Sequence, residues 1–133
     1  MGKRGHSQVK ILVVDDEKNY RIILSRLLTS EGYQVFLADD PKLALEILQD
    51  EDISLVISDL RLERMDGISF CRQIHNEIGD IPCIVFSAYA SAQCQGALQE
   101  VGIIGYLSKP FDNQNLLNLI SKTLELETTE IEG

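Results

Sequence analysis

Asp15 and Asp16 stand side by side after one apolar run, and Asp59, Ser87 and Lys109 each follow or closely follow another. The runs cover residues 9–14, 55–58, 82–86 and 105–107. In a parallel sheet with helices between its strands, the carboxyl ends of all strands share one edge, where such folds place their sites. The four patches would then meet in one pocket holding three carboxylates, a hydroxyl and an ammonium. Carboxylates that close repel one another without a counter-ion, so the pocket should want a hard divalent cation with oxygen ligands. That combination suits chemistry on phosphate.

Each residue taken alone has a plainer explanation. Asp-Asp-Glu at 15–17 can cap a helix and complement its dipole. A strand-ending Asp59 or Ser87 can serve a turn. Lys109 can be a surface lysine, although Tyr106-Leu107 and Pro110-Phe111 around it favour a fixed direction. In the pocket, Asp59 becomes a nucleophile able to form an acyl-phosphate. Ser87 can donate to a phosphoryl oxygen, and Lys109 can neutralise phosphate as a point charge. The Lys109-Pro110 bond is also a candidate cis peptide, because X–Pro bonds give up most of the trans preference.

The elements that must position these groups alternate strand and helix. Lys10–Val14 is a continuous apolar and β-branched run, as in a strand covered on both faces. Tyr20, Ile23, Leu24, Leu27 and Leu28 recur at helical spacing, with Gly32 as a stop. Residues 34–38 read as a second strand. Asp40-Pro41 reads as a cap with proline at the first helical position, and Ala44, Ile47 and Leu48 form that helix's inner face. Residues 55–58 are strand three. A helix from near Gly67 should bury Phe70, Cys71 and Ile74. Residues 82–86 are strand four, and Ala97, Leu98 and Val101 mark a weaker fourth helix. After a short strand at 105–107, a last helix from about Asn113 to Leu126 buries Leu116, Leu117, Ile120 and Leu124. Strict alternation implies a doubly wound α/β fold with right-handed crossovers and helices on both faces.

At 133 residues the chain is sized for one domain with a real core. We expect a loose basic leader over 1–8, the domain over 9–126, and a fraying acidic tail or linker start over 127–133. Apolar residues make up 44% and charged residues 25%, the balance of a soluble globular protein. No apolar run nears the ~20 residues a bilayer requires, and no secretory signal opens the chain. A net charge of −9 argues against nucleic-acid binding by this segment. The three cysteines, Cys71, Cys83 and Cys94, sit in apolar patterns without zinc-type spacing, so they read as small buried side chains. Reduced cysteines point to a cytoplasmic location.

The strings VVDDE at 13–17, SDLRLERMDG at 58–67, FSAY at 86–89 and GYLSKPF at 105–111 together resemble the receiver domain of two-component response regulators. The resemblance covers roughly residues 9–126 in order and spacing. It implies a flavodoxin-like, five-stranded parallel sheet in the order 2-1-3-4-5 with five helices. It also implies that Asp59 accepts phosphate from a phosphohistidine. Asp15, Asp16 and Asp59 would hold magnesium with the Arg61 backbone carbonyl, and Ser87 and Lys109 would bind phosphoryl oxygens. Tyr106 would be the switch aromatic coupled to Ser87. Arg61 and Tyr89 would flank the site and tune dephosphorylation. The implied partners are a sensor histidine kinase or phosphotransfer protein, and an output domain or downstream protein. The latter would dock on the face made by helix four, strand five and helix five, where phosphorylation-dependent homodimerisation is also open. Such a domain modifies itself and is not an enzyme turning over a separate substrate. Leu62-Glu63 stands where the family often has Met-Pro, which bears on the shape of that loop.

Three other classes compete. An aspartate-nucleophile phosphatase also uses carboxylates, magnesium and lysine, but usually carries Asp-x-Asp after its first strand and a cap domain. A nucleotide-binding module would need a P-loop or a dinucleotide glycine motif after strand one, and neither is there. A phosphate-independent interaction domain on the same scaffold fits less well with the intact set of site residues.

Overall fold

The computed structural model describes residues 9–59, 61–62, 65–87, 103–108 and 112–132. Five strands are described: β1 (Lys10–Val14), β2 (Gln34–Ala38), β3 (Leu55–Asp59), β4 (Cys83–Ser87) and β5 (Ile103–Ser108). They form one parallel sheet in the order β2-β1-β3-β4-β5. The described helices are α1 (Lys18–Ser30), α2 (Pro41–Asp50), α3 (Gly67–Glu77) and α4 (Asn113–Glu132). The flavodoxin-like order expected from the sequence is thus present. The helix expected around Ala97–Val101 lies outside the described residues.

Side chains alternate across a strand, so each strand feeds two separate cores. Ile11 and Val13 of β1, Leu55 and Ile57 of β3, and Ile84 and Phe86 of β4 pack with Leu24 and Leu28 of α1 and Leu116 and Ile120 of α4. Leu12, Val14, Val56, Cys83 and Val85 face the other way, against Ala44 and Leu48 of α2 and Phe70, Cys71 and Ile74 of α3. Each such large apolar side chain contributes about 1.5–3 kcal/mol on burial. Cys71 and Cys83 are free buried thiols, as their apolar setting implied. The hydrogen bond with Cys71, then burial, pushes the Cys83 thiol well above its ordinary pKa. Cys94 lies outside the described residues.

Local chemistry fixes the helix ends. The Asp40 side chain accepts from Leu43 N–H at 2.8 Å, and the Asp66 side chain accepts from Ser69 N–H at 2.7 Å. Gly32 takes φ 95°, and the amides of Gly32 and Tyr33 close back on the carbonyls of Thr29 and Leu28. This is the glycine-terminated helix end expected there.

Some element ends and one side chain differ from expectation. Strand β5 begins at Ile103 and ends at Ser108, because the ladder with β4 continues to both sides of 105–107. Helix α4 continues past Leu126 to Glu132. Extending a formed helix costs far less than starting one, and glutamates tolerate the helical state well. Ile23, one of the residues at helical spacing, is 51% exposed. The inward face of α1 is carried by Leu24 and Leu28, and Ile23 sits just outside that stripe.

Candidate metal centre

The register of the sheet brings the acidic residues together. Val14 pairs with Ser58, so the next positions, Asp15 and Asp59, lie side by side at the carboxyl edge. By alternation both follow the face carrying Ile11, Val13, Leu55 and Ile57. Asp59 pairs with Phe86, which sets Ser87 one residue further along the same edge.

Carboxylate oxygens of Asp15, Asp16, Glu17 and Asp59 all lie within 4.8 Å of one another. Asp15 is fully buried and Asp59 is 7% exposed, whereas Asp16 and Glu17 are exposed. The centre is therefore half sunk into the sheet edge and half open to water. Four hard oxygen donors at this spacing fit a divalent cation such as magnesium, which keeps part of its water shell.

The backbone around the aspartates is fixed by short bonds. The Asp15 N–H donates to the Ala38 carbonyl at 3.2 Å, which extends the β1–β2 ladder by one residue. Asp15 Oδ1 accepts the Glu17 N–H at 2.8 Å, making a tight turn between strand and helix. Arg21 Nη1 donates to the Asp15 carbonyl oxygen at 2.7 Å. Around Asp59, the Ser58 hydroxyl donates to the Asp59 carbonyl at 2.9 Å, and the Arg61 N–H donates to Asp59 Oδ1 at 3.3 Å. An isolated bridge between Arg61 and Asp66, with Leu62 N–H on the Met65 carbonyl at 3.1 Å, closes the following loop onto the start of α3.

Asp15, Asp16 and Asp59 thus share one centre, and the backbone of Arg61 runs directly beside Asp59. The Ser87 and Tyr106 backbones belong to β4 and β5, but their side chains are outside the described set. Tyr89, Lys109 and Pro110 lie outside the described residues, and with them the candidate cis bond. Sequence reasoning assigned no metal role to Glu17 and treated it with the helix cap. Glu17 occupies the N-cap position of α1 yet makes no side-chain cap hydrogen bond, and its carboxylate joins the aspartates. Its place directly after two aspartates was the available signal. Arg21 was missed altogether, since nothing in its type or spacing announces a backbone partner six residues back.

Comparison with known proteins gives a consistent result. The profile of the response regulator receiver domain matches residues 11–121. The chain is 36% identical over 119 residues to the transcriptional regulatory protein ZraR of Escherichia coli K12, covering 90% of this chain and 27% of that protein. It therefore spans about a quarter of that longer relative. It is 33% identical to sporulation initiation phosphotransferase F of Bacillus subtilis, covering 90% of this chain and 96% of that one. The crystal structure of a CheY-like response regulator receiver domain protein from Methanospirillum hungatei superposes with a TM-score of 0.86 at 26% identity, covering 92% of this chain and 98% of the other.

Proposed function

We propose that this chain, which belongs to the response regulator receiver domain family of two-component systems, is a magnesium-dependent phosphoacceptor switch with Asp59 as its acceptor. The observation that carries this is the clustering of Asp15, Asp16, Glu17 and Asp59 at one sheet edge. A carboxylate oxygen of Asp59 attacks the phosphorus of a phosphohistidine. The new O–P bond forms as the N–P bond breaks, and its electron pair returns to the imidazole nitrogen. Asp15, Asp16, Asp59 and the Arg61 carbonyl would hold a divalent cation, which would supply positive charge against the phosphoryl oxygens. Lys109 adds a second positive charge there, and Ser87 donates a hydrogen bond.

The product places roughly −1.5 to −2 charge on the edge of the sheet. Ser87 and Lys109 answer that charge, Tyr106 repacks, and the surface around β5 and α4 changes. That surface would meet an output domain, a downstream protein or a second copy of the chain. The donor would be a sensor histidine kinase or a phosphotransfer protein. Arg61 and Tyr89 would shield the phosphoryl group from water and set its lifetime. Among the described residues no helix is long and apolar enough to cross a membrane.

Incubation with acetyl phosphate and magnesium, followed by intact-mass measurement, tests this. One phosphoryl group per chain is expected for the native sequence, and none for Asp59→Asn or when magnesium is chelated. Steady release of phosphate from small phosphoesters would instead favour the phosphatase class.

A further inference from the structure

The β1–α1 turn is tied by a bond that the metal ligands themselves do not provide. Asp15 is fully buried, and its N–H is used by Ala38 and its Oδ1 by the Glu17 amide. Its carbonyl oxygen lies just past the last ladder pair of β1 and before the first residue of α1. Arg21 Nη1 donates to that oxygen at 2.7 Å, reaching back from the first turns of α1 in the direction helical side chains favour. Fixing that carbonyl fixes the plane of the Asp15–Asp16 peptide, and with it the point from which the Asp16 carboxylate leaves the backbone.

We propose that Arg21 is a positioning residue for the metal centre, holding the Asp15–Asp16 peptide so that both carboxylates face a divalent cation before it arrives. This rests on the phosphoacceptor function proposed above. Electrostatics and positioning predict opposite signs here. A guanidinium bound to the Asp15 backbone puts positive charge near the centre and repels an incoming cation, so removing it should tighten metal binding if charge were its only effect. If it positions the ligands, removing it should loosen binding. Groups that orient metal ligands typically cost about 10-fold or more in affinity when lost.

The experiment is calorimetric titration of the metal-free full chain with magnesium chloride, for the native sequence, Arg21→Met and Arg21→Lys. Methionine keeps the apolar stem and removes both donor and charge, and lysine keeps a donor and the charge. Arg21→Met is expected to bind magnesium about 10-fold more weakly or worse, and Arg21→Lys should recover most of the loss. Phosphoryl uptake by Arg21→Met should return toward the native level at saturating magnesium, which a general loss of structure would not allow. Hydrogen exchange at the Glu17 amide should also quicken, with β1 amides unchanged. Should Arg21→Met fail to fold, Arg21→Gln, neutral and too short to reach, is expected to show the same weakening. Magnesium binding in a folded Arg21→Met or Arg21→Gln that equals or exceeds the native affinity overturns the assignment of Arg21 while leaving the phosphoacceptor proposal intact. Absence of magnesium binding by the native chain overturns both.

Discussion

Replacing Asp59 with asparagine should make the metal-free protein more stable, although most substitutions of near-buried residues do the reverse. Asparagine keeps the shape of the side chain and an oxygen for the Arg61 N–H now at 3.3 Å. What it removes is one of four negative charges gathered within 4.8 Å. At that separation two unit charges repel by about 3 kcal/mol at an effective dielectric of ~20, and by about 1 kcal/mol in bulk water. The Asp15–Asp59 pair is buried and belongs nearer the first figure, whereas Asp16 and Glu17 are exposed and belong nearer the second. Compensation by nearby cationic groups reduces the sum, so a net gain of about 1–3 kcal/mol is expected, or a rise of roughly 3–10 °C in Tm for a domain this size. The assay is thermal unfolding followed by circular dichroism at low ionic strength with a chelator. Magnesium should narrow the gap by stabilising the native chain more, and high salt should narrow it by screening. An Asp59→Asn protein no more stable than the native chain under chelation would refute the reasoning, because the four carboxylates would then not be sharing a repulsive centre.

Other substitutions probe the scaffold around that centre. Phe70→Ala should cost about 3–5 kcal/mol in urea unfolding, since Phe70 is fully buried between α3 and the sheet. Asp66→Ala should cost about 1 kcal/mol through the lost α3 cap, read from the same urea curves. Gly105→Ala on β5 would bring a Cβ to 2.5 Å from Leu119 Cδ2 and 3.1 Å from its Cγ, so the Leu119 side chain must give way and its packing on β5 is disturbed. We expect a loss of about 1–3 kcal/mol in the same unfolding measurement. Burial raises the Tyr33 pKa above 10.0, with Glu31 adding to the rise and the Ser121 hydrogen bond opposing it. A raised folded-state pKa gives stability that is complete below pH 10 and is lost as pH climbs through the folded value. Tyr33→Phe should therefore lose less stability than the native chain across that alkaline window.

The fold was legible because its signals were redundant. The run Ile11–Val14 is apolar at every position and is buried at every position, which marks a strand covered on both faces. Gly32 and the Asp40-Pro41 pair announced their helix ends through backbone requirements that few other residues meet. Ile23 fits the helical spacing yet lies outside because a stripe wide enough to include it also fits a 3.6-residue period, and only the packing of α1 on β1 and β2 sets the edge of that stripe. The end of α4 was misjudged because acidic composition signals solvent exposure, not loss of helix. The aspartates were legible from their positions after apolar runs. Glu17 and Arg21 were not, because what they do depends on the direction of a turn and the partner of one carbonyl oxygen.

The central claim is that the phosphoryl group goes to Asp59. It is tested most directly by labelling the native chain from a phosphohistidine donor in the presence of magnesium, trapping the acyl-phosphate by borohydride reduction, and mapping the modified peptide by mass spectrometry. A single modified residue, Asp59, is expected. Modification at another side chain, or no modification with magnesium and donor both present, would contradict it.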